Sequence, residues 1–133
     1  MSKKEIYKEQ NLRFLEEIST QEGVLPLPRG LFYKVLQTGS GKDSPHPRSI
    51  VTVHYKGSLI NGKEFDNSYL RHCPEAFRLC EVIDGWQLAL QQMHVGDKWI
   101  IYIPWQMGYG SKADGPIPAF STLIFEVELL GIA

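Results

Sequence analysis

The residues of this chain that can do chemistry are six aromatic side chains, Tyr55, Phe65, Phe77, Trp86, Tyr109 and Phe125, all near turn signals, and one neighbouring acid, Asp66. Rings in that number can line a dry cleft for an apolar group, although core packing explains any one of them taken singly. Other reactive types fall out on spacing. Nucleophilic catalysis needs Ser or Cys beside a His oriented by an acid, and His46, His54, His72 and His94 have no Gly-x-Ser-x-Gly elbow or comparable context. The same histidines show no H-x-x-x-H or H-E-x-x-H spacing that would bring imidazoles onto one face for a metal. Cys73 and Cys80 form neither a C-x-x-C pair nor half of a zinc site, and read as free thiols in or near the core. Gly41-Lys42 is followed by Asp43 instead of Ser or Thr, with no glycine five positions earlier, so a phosphate cradle is excluded.

These rings need a scaffold, and the hydrophobic period supplies it. Residues 2–22 predict a helix: Ser2 and Glu5 make a capping box, and Tyr7, Phe14, Leu15 and Ile18 form one apolar face opposite a mixed-sign charged one. Pro26, Pro28 and Gly30 then make a stiff connector. From residue 31 the period changes to two. Strands are predicted over 31–36, 50–59, 98–103 and 122–130, with Val51, Val53 and Tyr55 on one face of the second and Leu123, Phe125, Val127 and Leu129 on one face of the last. Asn61-Gly62 predicts a type I′ hairpin returning through 63–66. Trp86, Ala89, Leu90 and Met93 recur at helical spacing, which predicts a short helix over 86–93 lying on the sheet. The fold class is therefore α+β, with residues 1–30 as helix and connector and 31–133 as the main domain.

Bulk properties narrow the partners. The 133 residues suffice for one domain with its own core. Fourteen Lys and Arg against 15 Asp and Glu leave no basic field to draw the chain onto nucleic acid or acidic lipid. No apolar run reaches the roughly 18 residues that a membrane span needs. The Met-Ser-Lys-Lys start leads into a charged stretch, so the expected setting is soluble and cytoplasmic, or periplasmic or membrane-tethered if a signal segment had been removed.

Order and spacing raise the aromatic set above core packing. Val53-His-Tyr55-Lys-Gly57, Gly62-Lys-Glu-Phe65-Asp66-Asn-Ser68 and Phe77-Arg-Leu-Cys-Glu-Val82-Ile83-Asp-Gly85-Trp86 resemble the signature of the FKBP-type peptidyl-prolyl cis/trans isomerases. Met93-x-x-Gly96, Ile103-Pro104 to Gly108-Tyr109-Gly110, Ile117-Pro118 and Thr122 to Leu129 look like the rest of it. The segment from Asn11 to Leu36 is similar to the helix-to-domain junction of the bacterial macrophage-infectivity-potentiator branch. The resemblance implies an antiparallel half-barrel sheet wrapped around one short helix, with an N-terminal helix and a pocket between sheet and short helix. It implies Trp86 as pocket floor, Tyr55, Phe65, Phe77 and Phe125 as walls, and Val82, Ile83 and Ile117 as rim. By the same resemblance, the Ile83 amide and Tyr109 hydroxyl hold substrate carbonyls, and Asp66 meets Tyr55 and the twisting amide. Asp84, also near the rim, reads as solvated surface.

No cofactor or metal is implied. The partners implied are proline-containing unfolded or partly folded polypeptides and macrolides such as rapamycin, with no nucleic acid and no membrane, for a monomer or a helix-mediated dimer. Glu75, where relatives carry an apolar wall residue, and a Ser111–Gly115 loop one residue short and without its histidine, motivate a second expectation, a folding helper with weak isomerase activity. An adaptor docking through residues 2–22 is the third.

Overall fold

Alternating burial sets the frame. In the computed structural model, which describes residues 1–133, β3 (Ile50–Ser58) buries Val51, Val53, Tyr55 and Gly57 and turns Thr52, His54 and Lys56 the other way. β7 (Leu123–Ile132) buries Leu123, Phe125, Val127 and Leu129 in the same manner. β6 (Lys98–Ile103) is apolar at nearly every position because both its faces are covered: Ile101 and Ile103 join the main core, and Ile100 and Tyr102 join a second cluster under the N-terminal helix. The other strands are β1 (Val24–Pro26), β2 (Phe32–Gln37), β4 (Glu64–Asn67) and β5 (Glu75–Arg78). All pairings are antiparallel, in the order β1-β2-β6-β7-β3-β4. β5 also pairs with β3, so β3 divides its outer edge, giving residues 50–53 to β5 and 56–58 to β4.

α2 (Asp84–Leu90) lies on the concave side of this half-barrel, burying Trp86, Ala89 and Leu90 in one core with Leu31, Val53, Ile101 and Val127. The architecture is the expected α+β one. α1 (Lys3–Ile18) lies on the opposite face, where Leu15 and Ile18 cluster with Tyr102. Ser2 Oγ accepts from the Glu5 N–H at 3.1 Å, the first half of the expected capping box, while Glu5 Oε1 accepts from the Ser2 hydroxyl and not from its main-chain N–H.

Several boundaries differ from the sequence reading, each for a local reason. α1 stops at Ile18, short of residue 22, because Ser19 and Thr20 hydroxyls donate back to the Glu16 and Glu17 carbonyls. The connector is partly a strand, since Val24–Pro26 pairs with β2 at the sheet edge, the position that tolerates a proline. Asn61-Gly62 does not form a type I′ turn: only Gly62 has positive φ, at +86°. Gly62 N–H donates to the Leu59 carbonyl, Asn61 Oδ1 accepts from Lys63 N–H, and the register shifts between Gly57 and Ser58. α2 spans 84–90 and not 86–93; Met93 is buried but sits in the turn beyond, so its spacing registered burial and not helix. β5 was not anticipated: its burial alternates, but the sequence Glu-Ala-Phe-Arg does not, because Glu75 shares the inner side with Phe77. Cys73 and Cys80 are free, as expected, but exposed and not in the core.

One buried carboxylate pins the loop after β2. Asp97, 5% exposed, accepts from Gly39 N–H at 2.7 Å and His94 N–H at 2.9 Å. Asp97→Ala leaves both donors unpaired and should cost about 2–3 kcal/mol, read as a lower urea midpoint with an unchanged slope.

Candidate active site

Gly57 and Gly85 let the rings converge. Gly57 pairs with Phe125 on β7 and with Asp66 on β4, and a Cβ at this position would lie 2.6 Å from Phe65 Cζ and 2.7 Å from Phe125 Cε1. Without one, Phe65 and Phe125 meet edge to face at 5.6 Å. Gly85, in the first turn of α2, would place a Cβ 2.6 Å from Ile103 Cγ2, so its hydrogen lets α2 settle on β6 and lowers Trp86 into the sheet. There the indole meets Tyr55, Phe77 and Phe125 nearly perpendicularly, at 5.1, 5.6 and 5.3 Å between ring centroids.

The rings enclose an open cavity of about 480 Å³. Tyr55, Phe65, Asp66, Phe77, Val82, Ile83, Trp86, Tyr109, Ile117 and Phe125 all line it, so the structure gathers every residue named for the site on sequence grounds into one place. Trp86 keeps only 4% of its surface, as a floor does, whereas Tyr109 is 40% exposed at the mouth. Glu81, Asp114 and Pro116 also line the cavity and were not foreseen, although each adjoins or lies near a named rim residue. A larger concavity of about 930 Å³ lies beside α1, lined by charged residues such as Glu5, Lys8, Glu9 and Arg29 and by none of the residues named for the site.

Three donors at this cavity are unpaired: the buried Trp86 indole Nε1–H in its floor and two on its rim. The Ile83 amide N–H makes no hydrogen bond within the chain, although the Ile83 carbonyl accepts from Trp86 and Gln87 at the start of α2. The Tyr109 hydroxyl has no partner either, and burial, then the charges of Asp114 and Asp66, push its pKa up, keeping it a donor. Both rim donors stand beside an apolar floor, the arrangement that orients a polar backbone around a bound ring.

Asp66 is the electrostatic hub. Its Oδ2 accepts from the Tyr55 hydroxyl, and its Oδ1 accepts from Arg71 Nη1 and, at 2.9 Å, from Asn67 N–H. Burial alone would raise the Asp66 pKa, but the hydrogen bonds from Tyr55 and Arg71 and the guanidinium charge outweigh it, and the carboxyl titrates below its ordinary value. Burial, and then the bond to Asp66, push Tyr55 up to about 12. Arg71 was not foreseen, because an exposed loop arginine five residues after an acid carries no periodic signal. Its guanidinium lies 5.9 Å from the Tyr55 ring centroid, and its Nη2 also bonds Glu75 Oε1 at 3.2 Å. Glu75 is thus tied to Arg71 and does not line the cavity. Asp84 is exposed at the start of α2, as expected of solvated surface.

A sequence profile described as "FKBP-type peptidyl-prolyl cis-trans isomerase" matches residues 41–130. The chain is 46% identical over 125 residues to the peptidyl-prolyl cis-trans isomerase Mip of Coxiella burnetii, covering 93% of this chain and 54% of that protein. It is 43% identical over 119 residues to the FKBP-type isomerase FkpA of Escherichia coli K12, covering 90% of this chain and 44% of that one. The chain thus spans about half the length of these relatives. Among solved structures, E. coli FkpA superposes with a TM-score of 0.91 at 40% identity, over 96% of this chain and 60% of that one. A peptidyl-prolyl cis-trans isomerase from Pseudomonas syringae superposes with a TM-score of 0.91 at 35% identity, over 100% of this chain and 98% of its own.

Proposed function

The chain belongs to the FKBP-type peptidyl-prolyl cis-trans isomerase family, and from that premise we propose that its aromatic cavity accelerates rotation about Xaa-Pro bonds in unfolded or partly folded polypeptides. The observation that carries this reading is the meeting of a ring-lined floor at Trp86 with two unpaired donors, Ile83 N–H and Tyr109 O–H. We take the isomerase unit as residues 31–133, with 1–30 as helix and connector.

Amide resonance sets a rotation barrier of about 18–20 kcal/mol, and no bond need break to cross it. The planar amide is polar and prefers water; the twisted amide has lost resonance and much of its carbonyl polarity. A proline ring on the Trp86 indole puts the adjoining amide among Tyr55, Phe65, Phe77 and Phe125, where the twisted form is favoured over the planar one. Ile83 N–H and Tyr109 O–H hold the flanking carbonyls while the amide turns, without reorganising. Asp66 faces the amide as a carboxylate held by the Tyr55 hydroxyl and by an Arg71 guanidinium that it shares with Glu75, so its charge is fixed in direction and partly offset.

A protease-coupled assay with Ala-Xaa-Pro-Phe peptides tests the reading. Catalysis at micromolar protein supports it, and a rate equal to background sinks it. In the same assay Tyr109→Phe should lower kcat/KM by about fivefold to tenfold, the worth of one oriented hydroxyl at 1.4 kcal/mol per decade, with no loss of melting temperature because that hydroxyl bonds nothing in the chain. Rapamycin titrated against tryptophan fluorescence tests the proposed macrolide partner.

The folding-helper and adaptor readings draw less support. Glu75 is held by Arg71 outside the cavity, and the apolar face of α1 is covered by its own sheet at Tyr102. For the same reason we propose a monomer for this unit, which light scattering checks. No helix is long and apolar enough to cross a membrane. The cytoplasmic setting expected from the charged N-terminus draws no support from the relatives, and a periplasmic or tethered setting stands beside it.

A further inference from the structure

One wall of the cavity has no strand neighbour. The excursion from Pro104 to Thr122 brings Tyr109, Asp114 and Ile117 to the cavity, and its own backbone bonds are local turns: Gly110 N–H to the Trp105 carbonyl, Asp114 N–H to Ile117, and Phe120 N–H to Gly110. Phe120 at φ +64° occupies the left-handed region, which a bulky residue keeps only where its surroundings over-determine it.

What over-determines it is α1, which grips both stems of the excursion from the far side of the sheet. Lys8 Nζ lies 5.3 Å over the Trp105 ring on the entering stem and 4.7 Å over Phe120 on the leaving one, and those two rings meet edge to face at 4.9 Å. Tyr7 Oη is 2.8 Å from Ser121 Oγ. Asn11 is 1% exposed in the middle of the helix, where a buried amide is unfavourable unless fully bonded. Its Oδ1 accepts from Thr122 N–H at 2.7 Å, its Nδ2 donates to the Tyr7 carbonyl, and its own carbonyl accepts from Thr122 Oγ1. Helix packing by Leu15 and Ile18 alone asks for none of these three residues.

We infer that Tyr7, Lys8 and Asn11 are positioning residues: α1 holds the Pro104–Thr122 excursion so that the Tyr109 hydroxyl faces the cavity. The consequence for turnover rests on the isomerase reading above; the mechanical hold does not.

The test is the double variant Tyr7→Phe/Lys8→Met, which removes the hydroxyl and the charge while keeping apolar bulk. Two measurements are made: amide hydrogen exchange at Gly110 and Phe120, and isomerase kinetics. Exchange at both amides should quicken several-fold, and KM should rise by about threefold to tenfold with kcat within about twofold, because a loosened wall weakens ground and transition states alike. Built on Tyr109→Phe, the same double variant should raise KM by much less, since the lost positioning acts through that hydroxyl. Lys4→Met, on the solvent side of α1, should change nothing. Unchanged exchange at Gly110 and Phe120 overturns the inference, as does a KM rise of equal size in the Tyr109→Phe background. If the unaltered chain shows no isomerisation, the proposed function fails and exchange alone decides: quickening supports the hold, constancy refutes it.

Discussion

Trp86→Ala should reduce kcat/KM by about a hundredfold or more, because two decades need only about 2.7 kcal/mol and the indole is the surface on which a proline ring would rest. Its neighbours make the case quantitative. Tyr55, Phe77 and Phe125 each present an edge or face to this one ring at 5.1–5.6 Å, so truncation leaves three aromatic walls around an empty floor. The same truncation should cost about 3–5 kcal/mol of stability, which confounds activity measured near the melting transition. Trp86→Leu retains much of the volume and separates the effects: it should melt closer to the unaltered chain yet lose most of the activity. A well-folded Trp86→Ala chain with near-original kcat/KM would remove the cavity from the mechanism.

Asp66→Ala should lower kcat/KM by about tenfold to thirtyfold, at 1.4 kcal/mol per decade, and change the pH profile in a specific direction. It withdraws the acceptor from the Tyr55 hydroxyl and one of two carboxylates from Arg71, so both groups are freed to move at the cavity wall. The folded Asp66 carboxyl titrates below its unfolded value, so its contribution to stability is complete above the ordinary carboxylate pKa of about 3.9 and is lost only as pH falls through the lower folded value. Tyr55 runs the other way. Its folded pKa of about 12 lies above the unfolded value, so its contribution is complete below pH of about 10 and is lost as pH rises towards 12. Activity and melting temperature should therefore be flat with respect to this pair across the neutral range. In Asp66→Ala the alkaline limb should move to lower pH, because the bond that helped raise Tyr55 is gone. An alkaline limb that stays in place would show that burial alone sets the Tyr55 value.

Strand periodicity made β3 and β7 legible, because one face of each is buried and the other wet, and a period of two records that directly. The aromatic set was legible only through its resemblance to a family signature, since the cavity gathers residues from β3, β4, β5, α2 and β7 that no single window relates. What stayed hidden depends on partners distant in the chain. β5 is a strand only because β3 offers it residues 50–53, and Arg71 matters only because a turn returns it to Asp66. Asn11 reads as an ordinary polar position of a surface helix until Thr122, far along the chain, is seen to use its carbonyl oxygen.

Two missing methyl groups govern what this protein can become. At Gly57 and Gly85 main chain meets ring and branched side chain too closely for any larger residue, so the bore and depth of the cleft are dictated by strand spacing and by how low α2 rides on β6. No residue larger than glycine fits at either position unless the packed neighbours move. The exposed lip of the cavity, Glu81, Asp114 and Pro116, is where side chains can change without entering the packed core.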